Sequence, residues 1–199
     1  MIRAVALDLM DTVVRDPYRE ALRAALGTPP RVAFERRDPD LYPSLERGEI
    51  EEQEYWEHHR EIGIAVDPDR FHEVRRAGTT WLAGMPELLD DLRGEVLRVT
   101  ASNYPVWIEE LADEMLGDRF DRVLASYHLG TRKPDHGFYR RLLEALDLDA
   151  GEVAFVDDRE VNVTAAAEVG LHARCFRDAA DVRRWLRSLG VGVALEARE

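Results

Sequence analysis

One cysteine, Cys175, is all that this chain of 199 residues carries. That excludes an internal disulfide and fits a reducing compartment; the residue itself reads as a small hydrophobe beside a strand. Long hydrophobic runs are missing too. No segment approaches the length of a membrane span, and Asp8 stops the first apolar run before a secretory h-region can form. Positive charge is short: 27 Lys and Arg stand against 40 Asp and Glu, for a net charge of −13. Binding duplex nucleic acid or an anionic membrane needs a basic face, so neither is an expected partner. A small phosphorylated metabolite in a locally positive pocket remains compatible with that balance. A cytoplasmic protein, monomeric or homodimeric, is expected. The scarcest charge is lysine: Lys133, in Gly130-Thr131-Arg132-Lys133-Pro134-Asp135, is the only one.

What is present is a globular composition, 45% hydrophobic and 34% charged, enough for one domain with an insertion. Residues 2–9 form a continuous apolar run ended by polar residues and predict a short buried strand. Tyr18, Ala21, Leu22, Ala25 and Leu26 have helical spacing, closed by Gly27. Residues 28–49, rich in Pro, Asp and Arg, predict short helical pieces, and longer helices are predicted near 50–62 and 68–83. No strand is expected between 15 and 84. Beyond Gly84-Met85-Pro86 the rhythm changes. A helix at 86–93 leads to a strand at 96–101, then to a helix carrying Ile108, Leu111, Ala112, Met115 and Leu116. A strand at 122–126, a helix through Phe138, Leu142, Ala145 and Leu146, and a strand at 153–158 follow. A helix ending at Gly170 and a strand near 171–176 complete the pattern. Such alternation predicts βαβ units: an α/β fold with a three-layer, doubly wound parallel sheet. Residues 1–14 and 86–199 would form its core, and 15–85 a small inserted α-helical cap.

Two predicted strands end on aspartate, in Val5-Ala6-Leu7-Asp8 and Val153-Ala154-Phe155-Val156-Asp157-Asp158. In a parallel sheet the carboxyl ends share one edge, where ligands bind, so Asp8, Ser102, Lys133, Asp157 and Asp158 converge there. Asp8 can attack phosphorus and form an aspartyl-phosphate. Nucleophile and substrate are then both anionic, and Lys133 together with Mg²⁺ held by carboxylates and a backbone carbonyl supplies the compensating cations. Ser102 can hold phosphoryl oxygens, and the helix start after Asp158 adds positive dipole character. Tyr104 and Trp107 follow Ser102 at the mouth of this site and can stack on an aromatic leaving group. Asn162 reads equally as a second-layer partner of the metal or as a first-turn helix residue. His58 and His59 are adjacent and point to different helix faces, so a zinc site is not expected.

In this order the motifs resemble the haloacid dehalogenase-like superfamily, across essentially the whole chain. The resemblance implies Asp8 as nucleophile, Ser102 as the second-motif hydroxyl, Lys133 as the third-motif lysine, and Asp157-Asp158 as the acidic pair. Mg²⁺ would be held by Asp8, the Met10 carbonyl, Asp157 and Asp158. The helical insert resembles a type C1 cap. Asp8-Leu9-Met10-Asp11-Thr12 with Val14-Arg15-Asp16-Pro17, and Ser102-Asn103-Tyr104-Pro105-Val106-Trp107, are similar to a plant and bacterial subgroup that includes a flavin mononucleotide hydrolase. A small phosphomonoester, flavin mononucleotide first, is the substrate this implies, with Thr12, Asn103, Tyr104 and Trp107 as binding residues. One departure stands out. The superfamily commonly has a proton-transferring aspartate where this chain has Met10, a change that typically costs roughly 10²–10⁴ in rate. Asp11 substitutes, or water or substrate carries the proton, or the protein binds phospho-ligands with little turnover. A 2-haloacid dehalogenase also lacks that aspartate, but would not need Asp157-Asp158.

Overall fold

A computed structural model describes residues 1–193. Four parallel strands, β1 (Ala4–Leu7), β2 (Leu97–Thr100), β3 (Val153–Asp157) and β4 (His172–Cys175), lie in the order β2-β1-β3-β4. Leu7 stands opposite both Thr100 and Val156, and the ladder continues one residue further through Asp8 N–H to the Val156 carbonyl. The two central strands are wholly buried. Alternation within them divides the core in two. Val5, Leu7, Ala154 and Val156 pack on one face; Ala4, Ala6, Val153 and Phe155 pack on the other. Both faces are covered, which is why these strands read as unbroken apolar runs.

On the second face lie α9 (His136–Leu146) and α10 (Glu160–Val169), through Phe138, Tyr139, Leu142, Ala165 and Ala166. The first face carries α6 (Met85–Asp91) and α11 (Ala179–Ser188). Leu88 and Leu89 of α6 meet this core beside Val182 and Leu186 of α11. Pattern reading missed α11, although its Asp178 side chain accepts from Asp181 N–H as a helix cap. Between β1 and α6 run five helices, α1 (Tyr18–Ala25), α2 (Pro30–Arg36), α3 (Leu41–Glu46), α4 (Glu52–Glu61) and α5 (Pro68–Gly78). Their apolar residues Leu22, Tyr55 and Phe71 join the first-face core through Tyr104 and Trp107.

Three expectations need correction. The strand expected at 122–126 is reduced to isolated parallel bridges beside β2, followed by α8 (Ser126–Leu129). The Thr100 hydroxyl is the reason: it donates to the Leu124 carbonyl at 2.9 Å and accepts from Leu124 N–H at 2.8 Å, so a side chain takes the place of ladder bonds. The helix expected to reach residue 83 stops at Gly78. Beyond it the chain runs antiparallel to the outgoing segment, with Arg15 N–H donating to Thr80 and Leu82 N–H to Val13, each at 2.9 Å, and Val14 bridging Trp81. The helix expected through Leu116 begins as α7 (Ile108–Leu111) and widens into a π-helical turn at Ala112–Leu116. Residues 194–199 of the expected core lie outside the described residues.

Gly78 sits where the two crossings meet. A Cβ there would stand 2.6 Å from the Cβ of Pro17, too close for any side chain. Gly78→Ala is therefore expected to destabilise the fold by about 1–3 kcal/mol through overpacking. A urea-unfolding midpoint equal to the parent's would refute that account.

Candidate active site

The chain leaves β1 for β2 on one side and later crosses to β3 on the other, so the order reverses between β1 and β3. Ligands of open α/β sheets bind in the crevice at such a switch point. Asp8 follows β1 there, and Asp157 ends β3 with Asp158 next. Ser102 comes from beyond β2, and Lys133 from the loop between α8 and α9. Five residues separated by up to 150 positions thus meet at one sheet edge.

Lys133 is the centre of the cluster. It is 1% exposed, and its Nζ donates to Asp8 Oδ1 at 2.8 Å and to Asp157 Oδ2 at 2.5 Å. Burial works against the ammonium, but the Asp8 and Asp157 carboxylates outweigh it and hold the lysine pKa above its ordinary value. Ser102 Oγ donates to the same Asp8 oxygen at 2.8 Å. Oδ2 of Asp8 makes no hydrogen bond to any described residue. Burial pushes the Asp8 carboxyl up, with a further push from Asp157 and opposition from Lys133. Asp157 is held more fully. Besides Lys133 it accepts from Arg159 N–H and from Asn162 Nδ2, the latter at 2.9 and 3.0 Å. Asn162 is therefore both a helix residue and the orienting partner of Asp157.

Oxygens of Asp8, Asp157 and Asp158 lie within 4.8 Å of one another. Three carboxylates and one ammonium leave a net negative site. Asp158, solvent-exposed, has its pKa pushed up to about 6, first by partial desolvation and then by the surrounding carboxylates of Asp8, Asp157 and Asp11. All-oxygen donors with excess negative charge fit a hard divalent cation such as Mg²⁺.

The other expected residues fall in different places. Asn103 spends both amide atoms on Lys133, accepting its N–H at 2.8 Å and donating to its carbonyl at 2.9 Å, so it braces the lysine loop. Thr12 is fully buried, with no partner for its hydroxyl, and lies outside the cavity wall. Asp11 is exposed with a left-handed φ of 56°, a conformation Asp tolerates. Its Oδ1 accepts from Asp16 N–H at 3.1 Å. Met10 and Asp11 both line a cavity of about 650 Å³ that opens over Asp8. Tyr104 and Trp107 line it too, but are buried, with Trp107 packed against Phe71 of α5 at 4.8 Å.

Sequence reading missed Asp16, Glu46, Arg75 and Arg132, which line the same cavity. Buried Arg75 of α5 donates to the Tyr104 hydroxyl at 3.3 Å and pairs with Glu110 of α7. In the opposite charge sense, buried Glu46 of α3 accepts from Arg132 Nε at 2.7 Å. Only the proximity of Arg132 to Lys133 hinted at this, because charged residues of an amphipathic insert ordinarily face water. Burial raises the Glu46 carboxyl, and Arg132 counters that rise. Removing Arg132 strands this carboxylate, so Arg132→Ala should cost about 3 kcal/mol or more. Urea unfolding should show most of that loss recovered in the Arg132→Ala/Glu46→Gln double variant; an equal loss in both would refute the pairing.

A parallel α/β domain with a carboxylate–ammonium cluster at its switch point is a framework that places charged groups where ligands bind. The chain belongs to the haloacid dehalogenase-like hydrolases, whose family model matches residues 2–170. It is 33% identical over 190 residues to flavin mononucleotide hydrolase 1 of Arabidopsis thaliana, a chloroplast protein, covering 94% of this chain and 78% of that one. A haloacid dehalogenase-like hydrolase of Porphyromonas gingivalis superposes with a TM-score of 0.75 at 25% identity, covering 94% of this chain and 98% of the other. An enzyme of the same family from Bacteroides thetaiotaomicron, solved with magnesium and inorganic phosphate, gives a TM-score of 0.74 at 18% identity, over 92% and 99%. Among the described residues no helix is long and apolar enough to cross a membrane.

Proposed function

We propose that the protein is a Mg²⁺-dependent phosphomonoesterase that works through an aspartyl-phosphate on Asp8, with flavin mononucleotide as its first substrate. The observation that carries the reading is the asymmetry of Asp8. Ser102 and Lys133 both hold Oδ1, which leaves Oδ2 free to attack phosphorus. Attack forms the Oδ2–P bond as the P–O bond to the leaving alcohol breaks, and water then cleaves the acyl phosphate. Lys133 and Ser102 fix the nucleophile and lie where charge builds on the phosphoryl oxygens. Asp8, Asp157, Asp158 and the Met10 carbonyl would hold Mg²⁺. When bound, that ion would neutralise phosphoryl charge as a Lewis acid.

Residues 15–85 would act as a cap over the cavity, excluding bulk water and selecting the leaving group. The wall is mostly charged, but Tyr18, Tyr42, Tyr104 and Trp107 contribute to it, and aromatic side chains suit a flat ring system. The likeness to the Arabidopsis hydrolase supports flavin mononucleotide specifically.

The test is phosphate release with Mg²⁺ from flavin mononucleotide, pyridoxal phosphate, nucleotides and sugar phosphates. Release is expected to be greatest with flavin mononucleotide and to vanish with EDTA or in Asp8→Asn. Lys133→Met should lower kcat by about 10²–10³. Ligand-induced stabilisation of a folded, metal-loaded protein without release from any ester would instead establish a binding protein. Chloride release from 2-chloropropionate in the presence of chelator would establish a dehalogenase.

A further inference from the structure

Phosphoester cleavage expels an alkoxide, which needs a proton as the P–O bond breaks. Lys133 is committed to two carboxylates, and the Met10 side chain has no proton to give. If the protein supplies the acid, it comes from another wall of the cavity. Its carboxylates are Asp8, Asp11, Asp16, Glu20, Glu46 and Asp158. Asp8 is the nucleophile, and Asp158 belongs to the cation-binding cluster. Glu46 is locked to Arg132, and Glu20 is paired at 2.6 Å with Arg15. Asp11 is exposed and caps the turn ahead of α1 through its bond from Asp16 N–H.

We propose that Asp16 is the residue that protonates the leaving alcohol, a reading that rests on the phosphatase function above. Asp16 is half-buried on the segment that leaves the sheet for α1, in the wall shared with Asp8. Its Oδ1 accepts from Tyr18 N–H at 2.8 Å, which fixes the side chain, while Oδ2 makes no hydrogen bond to a described residue. Burial raises its carboxyl, Asp11 and Glu20 add to the rise, and the Tyr18 N–H and Arg19 oppose it. The Tyr104 hydroxyl also feels its charge. A carboxyl fixed at one oxygen, with the other oxygen open to the cavity, is held in the geometry that proton transfer to a leaving group requires.

The steps balance. Asp8 Oδ2 bonds to phosphorus, the P–O bond breaks with its electron pair leaving on oxygen, and that oxygen takes the proton of Asp16. The Asp16 carboxylate then removes a proton from the water that attacks phosphorus. The Asp8–phosphorus bond breaks, and inorganic phosphate and the original protonation states are restored.

The experiment compares kcat/KM of wild type, Asp16→Asn and Asp11→Asn across phenyl phosphate, flavin mononucleotide and 2,4-dinitrophenyl phosphate, with Mg²⁺. Asn at position 16 keeps an acceptor for Tyr18 N–H, so the fold should stand; Asp16→Glu, which keeps the proton, provides a second variant. Expected is a loss of about 10² or more in Asp16→Asn on phenyl phosphate and flavin mononucleotide. On 2,4-dinitrophenyl phosphate, whose leaving group departs unprotonated, the loss should be under about tenfold, and Asp16→Glu should recover part of the former. A loss independent of the leaving group, no loss, or the leaving-group pattern appearing in Asp11→Asn overturns the assignment alone. Wild type that cleaves none of the esters overturns the phosphatase reading and this one with it.

Discussion

An ammonium group with almost no contact to water survives only among carboxylates, and three carboxylates share a sheet edge only if a cation stands among them. Lys133 meets both conditions at once. Its bonds to Asp8 and Asp157 bridge the ends of β1 and β3, where the chain reverses its direction across the sheet. Around it the structure is arranged to keep the lysine in place. Asn103 clasps its backbone from the end of β2, and Phe138 and Phe155 wall its side chain. Asn162 holds Asp157 from the far side. Burying an ion pair costs desolvation, which is repaid only with such completeness of partners. The strands therefore depend on the site as much as the site depends on the strands.

The five inserted helices are joined to the rest by a continuous apolar core and by ion pairs of both senses. Cation from the insert meets anion from the sheet domain at Arg75–Glu110, and the reverse holds at Glu46–Arg132. Such a pattern fixes register, because sliding one body over the other brings like charges together. Arg75 and Arg132 also wall the cavity, so the groups that hold the helices down belong to the chamber they enclose. The residues that seat the insert and those that shape the cavity are thus partly the same.

Much of this was legible in the sequence because it rests on local pattern. Unbroken apolar runs ending in aspartate announce buried parallel strands, and β1 and β3 lie where those runs predict. The coincidence of Asp8, Ser102, Lys133 and Asp157 follows from topology, since all parallel strands present the same ends on one side. What escaped was set by contacts distant in sequence. Whether residues 122–126 make a strand was decided by the hydroxyl of Thr100, some twenty-four positions away. Glu46 and Arg75 look like surface charges until their partners are known. Asn103 lines the cavity as expected, but its clasp on a backbone thirty residues on could not be read from the sequence. The close approach of Gly78, at the end of α5, to Pro17 is likewise a contact between residues far apart in sequence.

The two crossings between the sheet domain and the insert are hydrogen-bonded to each other along 13–15 and 80–82. Two independent tethers would let the helices twist, slide or tilt over Asp8. A paired ribbon bends readily across its flat face and resists shear within its plane, as a leaf spring does. Any displacement of the insert over Asp8 would have to bend that ribbon or break its hydrogen bonds, and Asp16 sits one residue beyond its edge.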